Sequence, residues 1–200
     1  VMVDEATEDI TKMAAMSPSE KSYFETSVFA HAKHRIAWLL ILMFSATITG
    51  TIITRYENAF AAIPLLVSFI PMLMDTGGNC GSQSSTLIIR GIALGEIQFS
   101  DLFRVMFKEF RVSLIVGVAL ALANGIRILI MYKNAGLALV IGLSLVATIV
   151  ISKLIGCVLP LIAKKLHMDP AIMASPLITT LVDTCSILIY FNIATQVFQL

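Results

Sequence analysis

Five apolar runs dominate this chain of 200 residues. They cover residues 36–53, 59–74 with a polar continuation to 89, 112–131, 137–162 and 171–198. A helix crossing the hydrocarbon core of a bilayer needs about 20 mostly apolar residues, because each residue advances it by only about 1.5 Å. The first, fourth and fifth runs meet that length directly. The third carries Asn124 and Arg127, which places its outer end at the interface. The expected fold is an all-α membrane protein with five transmembrane helices. Composition agrees: 14 % of residues are charged and 58 % hydrophobic, whereas a soluble domain carries roughly 25 % charged residues. A net charge of +1 offers no basic face for nucleic acid. Cys80, Cys157 and Cys185 lie far apart, without CxxC or zinc spacing, and read as small packing residues.

Residues 1–31 are polar. Asp4, Glu5, Glu8 and Asp9 are acidic, while Val3, Ala6, Ile10 and Met13 recur at helical spacing, as on a surface helix. Ser17-Pro18-Ser19-Glu20 reads as the capped start of a second one. The chain opens on Val1, without a charged n-region and short apolar h-region, and is expected to be part of a longer protein. The division is thus 1–31 as a polar helical region and 32–200 as the five-helix membrane domain. With the N-terminus inside, the inner segments hold Lys12, Lys21, Lys33, Arg35, Arg90, Arg104, Lys108, Arg111, Lys164 and Lys165, and the outer ones only Arg55, Arg127 and Lys133. That asymmetry favours a cytoplasmic N-terminus, and five crossings then put the C-terminus outside.

The second run is chemically unusual. Pro64, Pro71, Gly77, Gly78 and Gly81 predict a helix broken at membrane depth, tolerated only where protein or water covers it and a pointer to substrate sites in transporters. At 100° per residue, Asp75, Asn79, Ser82, Gln83, Thr86 and Arg90 fall within an arc of about 100°. Hydrogen-bonded glue between packed helices is the alternative reading. In the fifth run, Asp183 sits near the middle of an apolar helix, where a carboxylate is expensive unless paired or wetted. Ser175, Thr179, Asp183, Ser186 and Tyr190 share an arc of about 80° on it. One face of that helix is therefore expected to line water. Protonation of Asp183, a hydroxyl partner or pairing with Lys153 are the alternatives. Lys153 itself is expected to snorkel to the inner interface, or else to serve as a charge partner. His31, His34 and His167 flank spans and read as interfacial. The Asp75-Thr76-Gly77 triplet matches soluble aspartic proteases, but that chemistry needs two carboxylates sharing a proton, in a different fold.

The segment PMLMDTGGNCGSQSSTLIIRG at 71–91 closely resembles the second transmembrane helix of the MgtE family of magnesium channels. Asp169-Pro170-Ala171, Ser175-Pro176-Leu177, Thr180, Asp183 and Ile189-Tyr190 resemble its fifth, and Glu5-Ala6-Thr7-Glu8-Asp9-Ile10 resembles the junction between its cytosolic CBS domains and its connecting helix, which implies that 1–31 is a cytosolic connecting, plug-like helix region. The resemblance covers essentially the whole chain. It implies a homodimer whose second and fifth helices surround a pore on the two-fold axis. It also implies that Asp183 is the pore aspartate, with Thr179 and Ser175 at further pore-facing sites. Asp169 would help to bind regulatory magnesium on the inner side, beside the CBS-containing domains of the full-length protein. Asp75, Asn79, Gln83, Thr86 and Ser186 complete the expected pore lining. Family members can carry a glycine at the position of Asp75 and an amide at that of Ser175. Mg2+ is then both the transported and the regulatory ion, and no enzymatic activity is expected. Magnesium is a hard cation that prefers oxygen ligands and retains its water, and rings of carboxylates select cations. A coupled carrier exchanging Mg2+ for Na+ or H+ is the alternative, with Lys153 and Asp75 as its candidate relay. An intramembrane aspartyl protease is the remote one.

Overall fold

The computed structural model describes residues 8, 10–14, 16, 23–173 and 175–199; the side chains of Phe60, Met173 and Ser175 lie outside the description. The long helices are α1 (Val28–Arg55), α3 (Ile70–Ala93), α4 (Leu102–Tyr132), α5 (Ala135–Lys165) and α6 (Ser175–Phe198), with a short α2 (Glu57–Ala62) after α1. Short 3-10 segments precede α3 (Pro64–Phe69), α4 (Phe99–Asp101) and α6 (Pro170–Met173). The expected Ser17–Glu20 helix start lies outside the described residues. Residues 10–13 are helical, as their spacing predicts.

Local chemistry explains the boundaries. Ser27 caps α1 by accepting a hydrogen bond from the Ala30 amide. α4 ends on Lys133, in the left-handed conformation at φ 50°, and Asn134 then caps α5 by accepting from the Leu137 amide at 2.9 Å. That tight reversal lays α4 antiparallel against α5.

Four helical stretches among the described residues are long and apolar enough to cross a bilayer: Val28–Arg55, Phe99–Tyr132, Ala135–Lys165 and Pro176–Phe198. α3 has 24 residues and so is about 36 Å long, but its polar stripe lowers its hydropathy. The packing partners give the directions. Gly77 and Gly81 of α3 lie against Thr148 and Ser152 of α5, so these helices run parallel; the same glycines meet Ser186 and Ile178 of α6, so that pair is antiparallel. α5 is the hub, packed against α4, α3 and α6, while α1 lies against α6. Of the described residues of α1, Thr49 alone is buried, and its hydroxyl pairs with that of Thr184 at 2.9 Å.

Two apolar clusters close the ends of the bundle. The larger joins Leu66, Phe69, Leu73, Ile141, Leu145, Tyr190 and Phe191, and the smaller joins Ile88, Val105, Cys157 and Leu161. Between them runs a seam of small residues where α3 meets α5, and there the expected broken helix is corrected. α3 is continuous through Gly77, Gly78 and Gly81. These glycines remove side chains so that neighbouring helices approach closely, the use made of small residues in membrane bundles. A Cβ on Gly156 of α5 would overlap the Gly81 carbonyl, and one on Gly81 would lie 2.7 Å from Ile178 Cγ2. The irregular backbone lies earlier, in the 3-10 turn Pro64–Phe69, with Pro71 in the first turn of α3 where a missing amide costs little.

Candidate functional site: a polar groove between α3 and α6

The close approach of α3 and α6 decides which side chains face outward. Gly78 packs directly under Thr179; a Cβ there would sit 2.9 Å from Thr179 Cγ2. On either side of this contact, Asp75 and Asn79 of α3 and Thr179 and Asp183 of α6 line one cleft of about 410 Å³, together with Pro71 and Met74. A second cleft, of about 620 Å³, continues along α3 and is lined by Asn79, Ser82, Gln83, Thr86 and Leu87. Asn79 belongs to both, so the two form one groove. The stripe read from the α3 sequence is therefore a surface: Asp75, Asn79, Gln83, Thr86 and Arg90 are all exposed in the protomer.

The hydroxyls of this groove are held locally. Thr179 donates to the Pro176 carbonyl at 2.9 Å and Thr86 to the Ser82 carbonyl at 2.9 Å. Their remaining lone pairs stay available as acceptors. Asp183 is half-buried, and Asp75 stands near enough for the two negative charges to interact. Neither carboxylate has an ion pair among the described residues. Two uncompensated carboxylates, an amide and hydroxyl oxygens make a donor set for a hard cation.

The polar face of α6 is narrower than its sequence arc. Ser186 is buried against Gly77 and donates to the Val182 carbonyl at 2.7 Å, so it does not line the groove. Tyr190 is buried in the larger cluster, and its hydroxyl donates to the Leu66 carbonyl at 2.9 Å. These two face the bundle interior, because α6 turns that edge of its arc toward α3 and the turn before it. The side chain of Ser175 is outside the description.

Lys153 is also corrected. It does not snorkel: it is 5 % exposed, with Nζ 3.7 Å from Glu109 Oε2 and a hydrogen bond of 3.2 Å to Ser84 Oγ. Ser84 in turn donates to Glu109 Oε2 at 2.6 Å. Its charge partner is thus Glu109 of α4, a residue the sequence reading missed, and not Asp183 or Asp75. Spacing held a usable signal. Val105, Glu109, Ser113 and Gly117 recur every fourth residue on the buried side of α4, and Ile149, Lys153 and Cys157 do the same on α5. A lone charge inside each of two buried stripes calls for the other.

Asp169 stands apart, beyond α5. Lys12 Nζ lies 2.8 Å from Asp169 Oδ2 and 3.3 Å from Glu8 Oε2, and the Ala171 amide donates to Asp169 Oδ1 at 2.9 Å. The described residues hold no cluster of three or more metal-ligating side chains; Asp169 faces an ammonium. Burial pushes the Asp169 carboxyl up, but the bonds from Lys12 and the Ala171 amide outweigh it and hold the group below its ordinary range. The Asp169 bond, set against partial desolvation, raises Lys12 above 10.5. A depressed carboxyl contributes stability above its unfolded pKa and loses it as pH falls through the folded value. The raised Lys12 contributes below 10.5 and loses its contribution as pH rises through its folded value. The contact is therefore intact at neutral pH. Being part-exposed, it contributes at most about 1 kcal/mol. Asp169→Asn should expose residues 8–14 to limited proteolysis at pH 7, while the unaltered chain shows that only in acid below the usual carboxylate range. Equal cleavage of both at pH 7 would mean that the Lys12–Asp169 contact does not hold this segment in place.

A polytopic helical bundle that displays two unpaired carboxylates along one polar groove has the attributes of a membrane transport protein for cations. Comparison with known proteins gives the family. The chain belongs to the MgtE family, whose model, described as a divalent cation transporter, matches residues 70–193. It is 39 % identical over 195 residues to the magnesium transporter MgtE of Bacillus subtilis (strain 168), covering 98 % of this chain and 43 % of that protein. The magnesium transporter MgtE of Thermus thermophilus is 36 % identical over 195 residues, and that of Enterococcus faecalis 34 % over 196, again with 43 % of each relative covered. The chain thus spans less than half the length of these curated relatives. It is a multi-pass membrane protein of a family of divalent cation transporters, not of enzymes.

Proposed function

We propose that this chain forms the ion-conducting part of a magnesium channel, with the α3–α6 groove as one wall of the pathway. The observation that carries the reading is the contrast between two kinds of membrane charge. Lys153 and Glu109 neutralise each other in the interior, whereas Asp183 and Asp75 share the groove with no counter-charge from the described residues. Such a pair is stable only when a cation or water compensates it. The groove is open on one side in a single protomer, so a second copy related by a two-fold axis closes it into a pore, with one Asp183 from each copy facing the ion. Closed two-fold dimers are the commonest oligomers. Two carboxylates facing across an axis hold Mg2+ through its retained waters, without stripping a shell that dehydrates reluctantly.

In this reading α3 is a fifth crossing. Its length and its direction, parallel to α5 and antiparallel to α6, fit strict alternation through the bilayer. The N-terminus is cytoplasmic and the C-terminus outside, on the charge asymmetry of the connecting segments. A coupled carrier needs a titratable relay. Engagement of Lys153 by Glu109, behind α3, removes the candidate relay between Lys153 and Asp75. The chain reconstituted in a planar bilayer is expected to show discrete single-channel steps carried by Mg2+. Smooth, saturable, Na+- or H+-dependent flux without steps would refute the channel and support the carrier.

A further inference from the structure

We propose that Ser84, Glu109 and Lys153 form a register lock that fixes the axial position of α3, and with it the ion-facing groove; the link to transport rests on the reading above. The seam between α3 and α5 brings the helices together by shape, through its small residues. On α3 the small residues Gly77 and Gly81 repeat every four positions, and on α5 Thr148, Ser152 and Gly156 do the same. A slide of one turn, about 6 Å for four residues, keeps one glycine in the seam and brings Leu73 or Ser85 into the place of the other, so shape opposes it. The hydroxyls of α5 along this stretch add no directional bond: those of Ser144, Thr148 and Ser152 are buried and have no hydrogen-bond partner among the described residues. The bond from Tyr190 ties α6 to the turn before α3, and leaves α5 out. The apolar clusters at the two ends bury area but tolerate shifts better than a short hydrogen bond does.

Against this background the lock stands out. Ser84 lies on the back of α3, adjacent in sequence to groove-lining Gln83, and is 0 % exposed. Its hydroxyl donates to Glu109 of α4 at 2.6 Å and accepts from Lys153 of α5 at 3.2 Å. One hydroxyl thus ties α3 to both α4 and α5 at one height. A slide of one turn would withdraw it and leave the ion pair without its bridge, at membrane depth, where an unmet polar group is costly. Fixing register is the best-attested use of a buried polar group. The same slide would carry Asp75, Asn79 and Gln83 past Thr179 and Asp183, and so dismantle the groove. Ser84, Glu109 and Lys153 are therefore positioning residues for the ion pathway.

Spin labels at Leu94→Cys, just past α3, and Leu166→Cys, just past α5, read the register directly. Both sites are exposed and outside the groove, and Cys185 is replaced by Ser to leave only buried native thiols. Labelled chains are diluted with unlabelled ones in liposomes so that distances within one protomer dominate. The unaltered lock should give one narrow distance. Ser84→Ala, which keeps the Glu109–Lys153 ion pair, should broaden it or add a population displaced by about 6 Å. Mg2+ influx should fall about 10-fold, the size of a 1.4 kcal/mol loss. Glu109→Met with Lys153→Met, which removes both charges together, should do the same while the protein still folds. A single narrow, wild-type distance in both variants overturns the lock, whatever the flux. A displaced distance with undiminished flux overturns its link to the pathway. Absence of Mg2+ flux from the unaltered chain refutes the transport reading alone, since the distances decide the register independently.

Discussion

Asp183→Asn should lower Mg2+ influx into liposomes on the order of 100-fold while the folded protein survives. Both halves of that result follow from the surroundings of the carboxylate. Asn keeps the size of Asp, so the Gly78–Thr179 contact that brings α3 against α6 is untouched. No described cation pairs with Asp183, so neutralising it strands no buried partner, and thermal stability should stay the same or rise. Function has no such protection. A hydrogen bond to a charged group is worth about 1.5–3 kcal/mol. Losing the charge in each of two copies weakens the hold on a hydrated ion correspondingly, and each 1.4 kcal/mol is a factor of ten. Asp75→Asn should cost less, because Asp75 is the more exposed member of the pair, at the start of the helix. Influx measured with a magnesium dye inside the vesicles, next to a thermal melt of the same preparation, separates the effects. Undiminished influx in Asp183→Asn would remove this residue from the pathway, and lost influx with a collapsed melt would make it structural.

The long helices and the groove were legible in the sequence because each depends on a pattern within one segment. Four helices followed from apolar runs of sufficient length. The groove followed from the polar arc of α3 and from a lone carboxylate in α6, and both features need only helical periodicity to be seen. What failed depended on a second helix. Gly77, Gly78 and Gly81 look like helix breakers when read alone, since glycine in a helix costs about 1 kcal/mol against alanine. Opposite Thr148, Ser152 and Gly156 they are contact points. Ser186 and Tyr190 belong to the same arc as Asp183, but the edge of that arc is turned inward, a rotation that only the position of α3 sets. Lys153 near the end of a span looks like a snorkelling residue until Glu109 is placed opposite it. Pairing of charges across helices is a property of the packed bundle, and a periodic search for single charges within buried stripes is its closest signature in one sequence.

Gly156→Val should abolish folded protein, or leave so little that flux is lost with it. Even the Cβ of an alanine at 156 would overlap the Gly81 carbonyl, which is backbone and cannot rotate away. Overpacking a close-packed interior usually costs about 1–3 kcal/mol when side chains can yield. Here a whole helix must yield. α3 has little room to move, since on its other side Gly81 packs against Ile178, and Gly77 fits between Thr148 and Val182. Displacing α3 from α5 would also stretch the 3.2 Å bond from Lys153 to Ser84 and expose the ion pair behind it. Gly125→Val serves as the control: a Cβ there meets nothing within 4 Å among the described residues, and it stands on the same face of α4 as exposed Leu122 and Leu129. Membrane yield and monodispersity in mild detergent should be near normal for Gly125→Val and severely reduced for Gly156→Val. Equal yields with equal flux would mean that the α3–α5 contact is looser than its geometry, and that the seam does not position the groove.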